Sequence, residues 1–475
     1  MADGNKLGVR DGIAVSSMLF GLFFGAGNLI FPIHMGQLAG RNAWWALLGF
    51  LVTGVGLPIL GVAALGASRS KGLLDLSSRV GRRFGLAFTC VLYLTIGPLF
   101  AIPRCATVAY TVGIAQSLPK GTHGPWLLLF SLAFFAVVLA LSLRPGKILT
   151  WVGKVLTPGF LVFLGVLVAA ALAAPSARVA DVAPQGAYVA SPFATGVLEG
   201  YNTMDALAGL AFGIVVVGVV RDLGVSDPAD VARGTIASGV GSGLIMAVVY
   251  ALVTVVGAQS RGAFAPSSNG GIAFAQIARM YLGDAGLVVL AVTVTVACLK
   301  TAVGLVTSCS QTFVGMFGGR VTYRGWAVVF TLVSFALANG GLDALIAWSL
   351  PVLSVMYPLA IVLIVLALAG GAFGYDRVVL AWAEGTTLAA AVLGAAGSAP
   401  AALAATPVVR AMARAAAALP LAAWGFGWVV PAAAGLAVGH ALRAARARGR
   451  GHLYAQRLHL RRRLRNSAAD EKEIC

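Results

Sequence analysis

The chain has 475 residues, of which 59% are hydrophobic and only 11% charged. A soluble domain carries about 25% charged residues, so this composition excludes a soluble globular protein and points to a polytopic membrane protein. The net charge of +18 falls in loops and in an arginine-dense tail from Arg443 to Arg465; attraction to anionic headgroups accounts for it, with membrane lipid as the partner and no nucleic acid.

The charged start (Lys6, Arg10, Asp11) leads into an apolar run far longer than a signal h-region, so the first helix is expected to act as its own insertion signal. Stretches near the roughly 20 residues needed to span a bilayer fall at 11–37, 42–67, 84–114, 125–143, 148–173, 193–219, 234–257, 285–316, 324–343, 346–369, 377–397 and 421–442, about twelve in all. The Ala-rich region from 386 to 419 also suits a re-entrant or interfacial helix. One set of alternate loops holds Lys6 and Arg10, Arg69 to Arg83, Arg144 and Lys147, Arg221 and Arg233, Arg320 and Arg324, Arg377 and the tail. The opposite set holds only Arg41, Lys120, Arg178, Arg261, Arg279, Arg410 and Arg414. The positive-inside rule places the first set, and both termini, in the cytoplasm. The Ala-rich, Arg-over-Lys composition suggests a bacterial source, so the expected location is the bacterial cytoplasmic (inner) membrane.

A spanning helix keeps its backbone hydrogen bonds to itself, because lipid offers no partners. The first run nevertheless contains Phe23-Phe24-Gly25-Ala26-Gly27-Asn28-Leu29-Ile30-Phe31-Pro32. The plain reading is a packing kink. The functional one is a broken helix whose freed backbone lines a protein-enclosed cavity. The sixth run is interrupted in the same way, at Glu199-Gly200-Tyr201-Asn202-Thr203-Met204-Asp205, with Gly209 and Gly213 following. The first break lies in a helix that starts inside, the second five helices later in one that starts outside. Paired interruptions in corresponding helices of two inverted halves point to the binding site of a secondary transporter.

Five ionisable residues sit well within the runs: Arg104, Glu199, Asp205, Lys300 and Glu384. Each charge there costs about 2.5–3.5 kcal/mol on insertion scales, which makes a function the first hypothesis for it. Asp205, beside the second break, serves the cavity or a structural pair. Lys300, too deep to snorkel easily, is a fixed internal cation or a titratable proton carrier. Arg104, after Pro98 and Pro103, reads as structural or as a gate partner, and Glu384 as facing the cytoplasmic boundary. The five cysteines (Cys90, Cys105, Cys298, Cys309, Cys475) have neither metal nor disulfide spacing. A membrane enzyme would need a polar catalytic cluster, and His34, His123, His440, His452 and His459 are scattered. No P-loop is present, which argues against direct ATP drive. A channel differs from a symporter in lacking concentrative uptake.

Several strings together resemble the bacterial branched-chain amino acid:cation symporters, the BrnQ-type carriers. They are Phe24-Gly25-Ala26-Gly27-Asn28-Leu29-Ile30-Phe31-Pro32, Gly97-Pro98-Leu99-Phe100-Ala101-Ile102-Pro103-Arg104, Leu143-Arg144-Pro145-Gly146-Lys147, Gly200-Tyr201-Asn202-Thr203-Met204-Asp205 with Phe212-Gly213-Ile214-Val215, and Thr301-Ala302-Val303-Gly304-Leu305. The match runs through about residues 10 to 370 and more loosely beyond Pro420-Leu421. Their order and spacing make the resemblance specific.

The resemblance implies an all-α LeuT-type core of two inverted five-helix repeats with broken helices 1 and 6, plus two further helices. It implies uptake of leucine, isoleucine and valine by cation symport, usually with Na+, and no cofactor. Substrate-binding residues on this reading are Gly25, Ala26, Gly27 and Asn28, with amides of Ala26 and Gly27 for the carboxylate; Tyr201, Asn202, Thr203 and Met204 for the ammonium; and Phe100. Coupling residues are Gly21, Phe24, Lys300, Thr301, Gly304 and Asp205, with a Na+ placed near Gly21, Phe24 and Thr301 if there is one. No metal ligand set is firmly assigned. Lys300 beside Thr301 stands where a sodium site is expected, so its ammonium could take the place of the ion, and H+ coupling or uncoupled exchange is the alternative. Half-helix N-termini favour a carboxylate and exposed carbonyls favour cations, which agrees. Transport or exchange of other neutral amino acids is the alternative function. The implied organisation is a cytoplasmic N-terminus (1–10), a first repeat (11–173), an extracytoplasmic loop (174–192), a second repeat (193–370), two peripheral helices (371–442) and a basic cytoplasmic tail (443–475).

Overall fold

Backbone polar groups in lipid must be paired within the chain, and the described residues pair them with helices; no strand occurs among them. The computed structural model describes residues 7–119, 122–143 and 147–446. Arg144, Pro145 and Gly146 of the motif after the fourth run, and the basic tail beyond 446, lie outside the described residues.

The first apolar run forms α1 (Val9–Phe23) and α2 (Ala26–Ala39). Between them Phe24 and Gly25 are extended. Asn28, in the first turn of α2, fixes the break: its Oδ1 accepts the Gly25 N–H at 3.0 Å, satisfying a donor that the interrupted helix leaves without a carbonyl. The second run is α3 (Ala43–Leu51), a π-turn at Val52–Gly56, and α4 (Leu57–Ala67). A short α5 (Leu73–Ser78) leads into α6 (Arg82–Leu94), which passes through a second π-turn at Thr95–Leu99 into α7 (Ala101–Gly113). Pro98 lies in that turn and Gly97 leaves helical geometry there, because proline removes a ladder donor. Helices α8 (His123–Ser142) and α9 (Lys147–Ala173) follow.

The sixth run repeats the design of the first. Helix α10 (Pro192–Tyr201) ends, Asn202–Met204 cross over, and α11 (Asp205–Asp222) begins. Met204 is left-handed, with φ 62°, and Thr203 Oγ1 accepts the Asp205 N–H at 3.3 Å. Beyond lie α12 (Pro228–Gln259), α13 (Gly270–Met316), α14 (Tyr323–Ala338), α15 (Leu342–Phe373) and α16 (Arg377–Ala395). The short α17 (Ala401–Ala404), α18 (Pro407–Ala417) and α19 (429–446) complete the described chain. Seven of the described helical stretches are individually long and apolar enough to cross a membrane. The halves of the first and sixth runs are short, with 15 and 14 residues in α1 and α2 and 10 and 18 in α10 and α11.

Small residues set the packing, as expected where helices gain nothing from leaving lipid except close contact. A Cβ on Gly49 would come within 2.0 Å of Phe193 O, and one on Gly196 within 2.0 Å of Ala46 O, so α3 and α10 touch backbone to backbone. The same holds for α4 and α11 at Gly209, and for α2 and α12 at Gly36 and Gly257. The pairing is reciprocal: α3 and α4 of the first half hold the broken helix of the second, and α12 of the second half holds the broken helix of the first.

Three expectations change. The eighth span, read as 285–316, is the second part of a 47-residue helical stretch whose first part ends at Gly283, φ 64°. The Gly270 end of that first part sits against Ile30 O of α2. The twelfth, read from 421, starts at 429, because Leu421 and Gly425 are both left-handed and stop a helix. Glu384 is wholly buried, with neither carboxylate oxygen hydrogen-bonded, rather than facing a boundary. In the Ala-rich region, α16 is followed by a separate α18 whose Arg410 and Arg414 are exposed.

Candidate functional site

The two breaks face each other across a small cavity of about 60 Å³, room for roughly four waters at 10–15 Å³ each. Gly25, Gly27 and Asn28 line it from the first break, and Thr203, Met204 and Asp205 from the second. Thr301 and Leu305 of α13 close one side, and Phe23, Ile96, Ala101 and Phe212 supply apolar wall.

Asn28 ties the breaks together. Its Nδ2 donates to Asp205 Oδ2 at 2.6 Å and to the Tyr250 hydroxyl, and Tyr250 donates to the same Asp205 oxygen at 3.2 Å. With Oδ1 on the Gly25 N–H, both Asn28 amide protons and one oxygen lone pair are used. Asp205 is only 3% exposed, so these donors offset the cost of burying its carboxylate.

On the other side of the first break, Lys300 Nζ donates to Gly21 O at 3.3 Å. A Cβ on Gly21 would lie 3.3 Å from that nitrogen, so the missing side chain lets the ammonium reach the end of α1. Thr301 Oγ1 returns to Ala297 O at 3.1 Å and stands 3.7 Å from where a Gly25 Cβ would be. Phe24 keeps its N–H on Phe20 O at 2.7 Å and stacks on Phe20.

Not every expected residue joins this cluster. Asn202 presents its carbonyl to Arg104. Tyr201 stacks on Tyr357 at 4.0 Å and lines a separate cavity of about 370 Å³ beside α16 and α18. Phe100 is buried but outside the walls. Gly304 is exposed, with open space where a Cβ would point. Two residues of the cluster escaped the sequence reading of the site. Tyr250 lies in an unbroken apolar run, so nothing in sequence marks it. Arg104 was visible as a charge within a span, but its direction was not; it lines the cavity, 3% exposed, over the ring of Phe31. Among the described residues no group of His, Cys, Asp and Glu could hold a metal ion.

Residues 9–446 match the family described as "Branched-chain amino acid transport protein". The chain is 53% identical over 374 residues to the branched-chain amino acid permease BrnQ of Lactobacillus delbrueckii subsp. lactis, covering 78% of this chain and 84% of that protein. The chain belongs to the branched-chain amino acid transport protein family. To a second member, the permease BraB of Bacillus subtilis, it is 41% identical over 441 residues, covering 92% and 96% of the two chains. Family members are named as permeases and transport carriers, and the protein is a transporter rather than an enzyme. In fold it is similar to the nucleobase-cation-symport-1 family transporter Mhp1 in a closed conformation with bromovinylhydantoin bound, with a TM-score of 0.53 and 15% identity over 92% of this chain and 94% of that one. The architecture is LeuT-type: inverted five-helix repeats whose first and sixth helices are broken where the family's ordered motifs lie.

Proposed function

We propose that this protein imports leucine, isoleucine and valine across the bacterial cytoplasmic membrane, with both termini on the cytoplasmic side. The observation that carries this reading is the meeting of the two broken helices at the Asn28–Asp205 bond, beside a cavity with polar ends and an apolar wall. The α2 N-terminus offers amides at Ala26 and Gly27 to a carboxylate. Carbonyls around Asn202 to Met204 receive the ammonium. Apolar wall from Phe23, Ile96, Phe212 and Leu305 takes the branched side chain, whose full burial is worth about 1.5–3 kcal/mol. One methylene discriminates weakly, so the three substrates compete. The names of the relatives support the substrate class.

Transport is cation-coupled on this reading, and Lys300 bears on which cation it is. Its ammonium on Gly21 O stands where a sodium ion would bridge the first and eighth helices, which favours H+ over Na+. Uptake of labelled leucine into proteoliposomes, with pH and sodium gradients imposed separately, is the test. Uptake is expected to follow an inward proton gradient and to ignore sodium, and Lys300→Ala to abolish the pH response while leucine exchange persists. Strong sodium stimulation with little effect of pH rejects proton coupling and restores sodium symport. Failure of leucine, isoleucine and valine to compete rejects the substrate assignment.

A further inference from the structure

Arg104 carries a full charge into the centre of the transport core. Its side chain is 3% exposed. Nη1 donates to Asn202 O at 2.5 Å and Nη2 to Ser349 Oγ at 3.5 Å, while Nε has no hydrogen-bond partner. No carboxylate among the described residues lies within 4.0 Å of it. Glu199 at the end of α10 acts on it by charge without touching it, so the guanidinium, held by a carbonyl, a hydroxyl and the face of Phe31, has no contacting anion, and a buried charge without one is costly. It also stands at one particular place. Nη1 is 3.6 Å from where a Cβ of Gly27 would be, beside the first amides of the 14-residue α2, and the residue lines the central cavity.

We infer that Arg104 is a substrate-binding residue: its guanidinium and the α2 N-terminus together hold the α-carboxylate of the transported amino acid. The chemistry fits. A substrate carboxylate supplies the contacting anion that Glu199 does not, and a guanidinium offers planar N–H donors with more strength than neutral amides. The anchors on Asn202 and Ser349 fix the plane in advance. Asn202 lies in the second break, so Arg104 joins the carboxylate end of the site to the sixth-helix segment proposed for the ammonium. The site then selects for zwitterions: amines of the same shape that lack a carboxylate leave the guanidinium without a contacting anion and bind less well.

This inference rests on the transport reading above, and the test separates the two. Leucine and leucinol, which keeps the ammonium and side chain but replaces the carboxylate by an alcohol, are titrated calorimetrically into detergent-purified full-length protein. The unmodified protein is expected to prefer leucine by about 10–100-fold, the range for a charge-assisted contact. Arg104→Gln is expected to weaken leucine by a similar factor and leucinol by less than threefold, so that the preference collapses. Arg104→Lys keeps the charge without the fork and is expected to recover part of it; if the Gln variant does not elute as a folded species, the Lys variant carries the same comparison, with leucine weakened and leucinol unchanged. Equal weakening of both ligands, or a preference that survives either substitution, overturns the inference and leaves Arg104 a structural pin. An unmodified protein that binds no branched-chain amino acid overturns instead the functional reading.

Discussion

At the scale of single residues, Asn28 is the junction of the core. Asn28→Ala removes three hydrogen bonds at once and leaves the Gly25 N–H and the Asp205 carboxylate short of partners. Each unsatisfied buried group costs about 1–3 kcal/mol, so a loss of several kcal/mol is expected, read as a fall of many degrees in the unfolding midpoint of purified protein. Gly27 tests a different property. A Cβ there is tight, at 3.3 Å from the Phe31 ring, which must give by a few tenths of an ångström, and the branches of valine would turn toward Arg104 and cover the α2 amides. Gly27→Val is expected to abolish leucine binding in calorimetry while the protein still elutes as a folded species. The breaks were legible because glycines, an asparagine and a proline interrupt otherwise apolar runs. The walls were only partly legible. A charge such as Arg104 declares its cost but not its direction, and Tyr250 sits among valines that hide it.

At the scale of elements, the positions of the helices follow from hydropathy, but their ends do not. Hydropathy sees neither the left-handed Gly283 that divides α13 nor Leu421 and Gly425, which delay α19; these are backbone events within apolar sequence. Close packing was equally hidden, because a glycine in an apolar run reads the same whether it meets lipid or a carbonyl. Gly257→Val should show the difference. A Cβ at 257 meets Ile33 O at 2.2 Å, so the substitution must push α12 off α2, and overpacking of this kind costs about 1–3 kcal/mol or more. Loss of folded protein on size exclusion, against little effect of Gly371→Val where space is open, is the expected contrast. Glu384 on α16 goes the other way. Its carboxyl has no hydrogen-bond partner and no exposure, so Glu384→Leu is expected to raise stability by about 1–3 kcal/mol, seen as a higher unfolding midpoint. A lower midpoint would mean that a partner for the carboxyl is essential to this helix.

At the scale of the whole molecule, α13, like α12, touches the first broken helix on both sides of its break. The 47-residue α13 presses its Gly270 end against Ile30 of α2, and 30 residues further on it brings Lys300 to Gly21 of α1. Gly283 bends it between these points, with φ 64°. Such an element is a crank: its two arms and their bend fix how far a displacement at one contact is felt at the other. Letting go of Gly21 at one arm is therefore expected to loosen the hold on Ile30 at the other, with the stiffness of the bend setting how much. Gly283→Val strains the left-handed bend without touching the cavity. It is expected to leave leucine affinity within about twofold and to slow net uptake by much more than leucine exchange, so that the cost appears in turnover and not in binding.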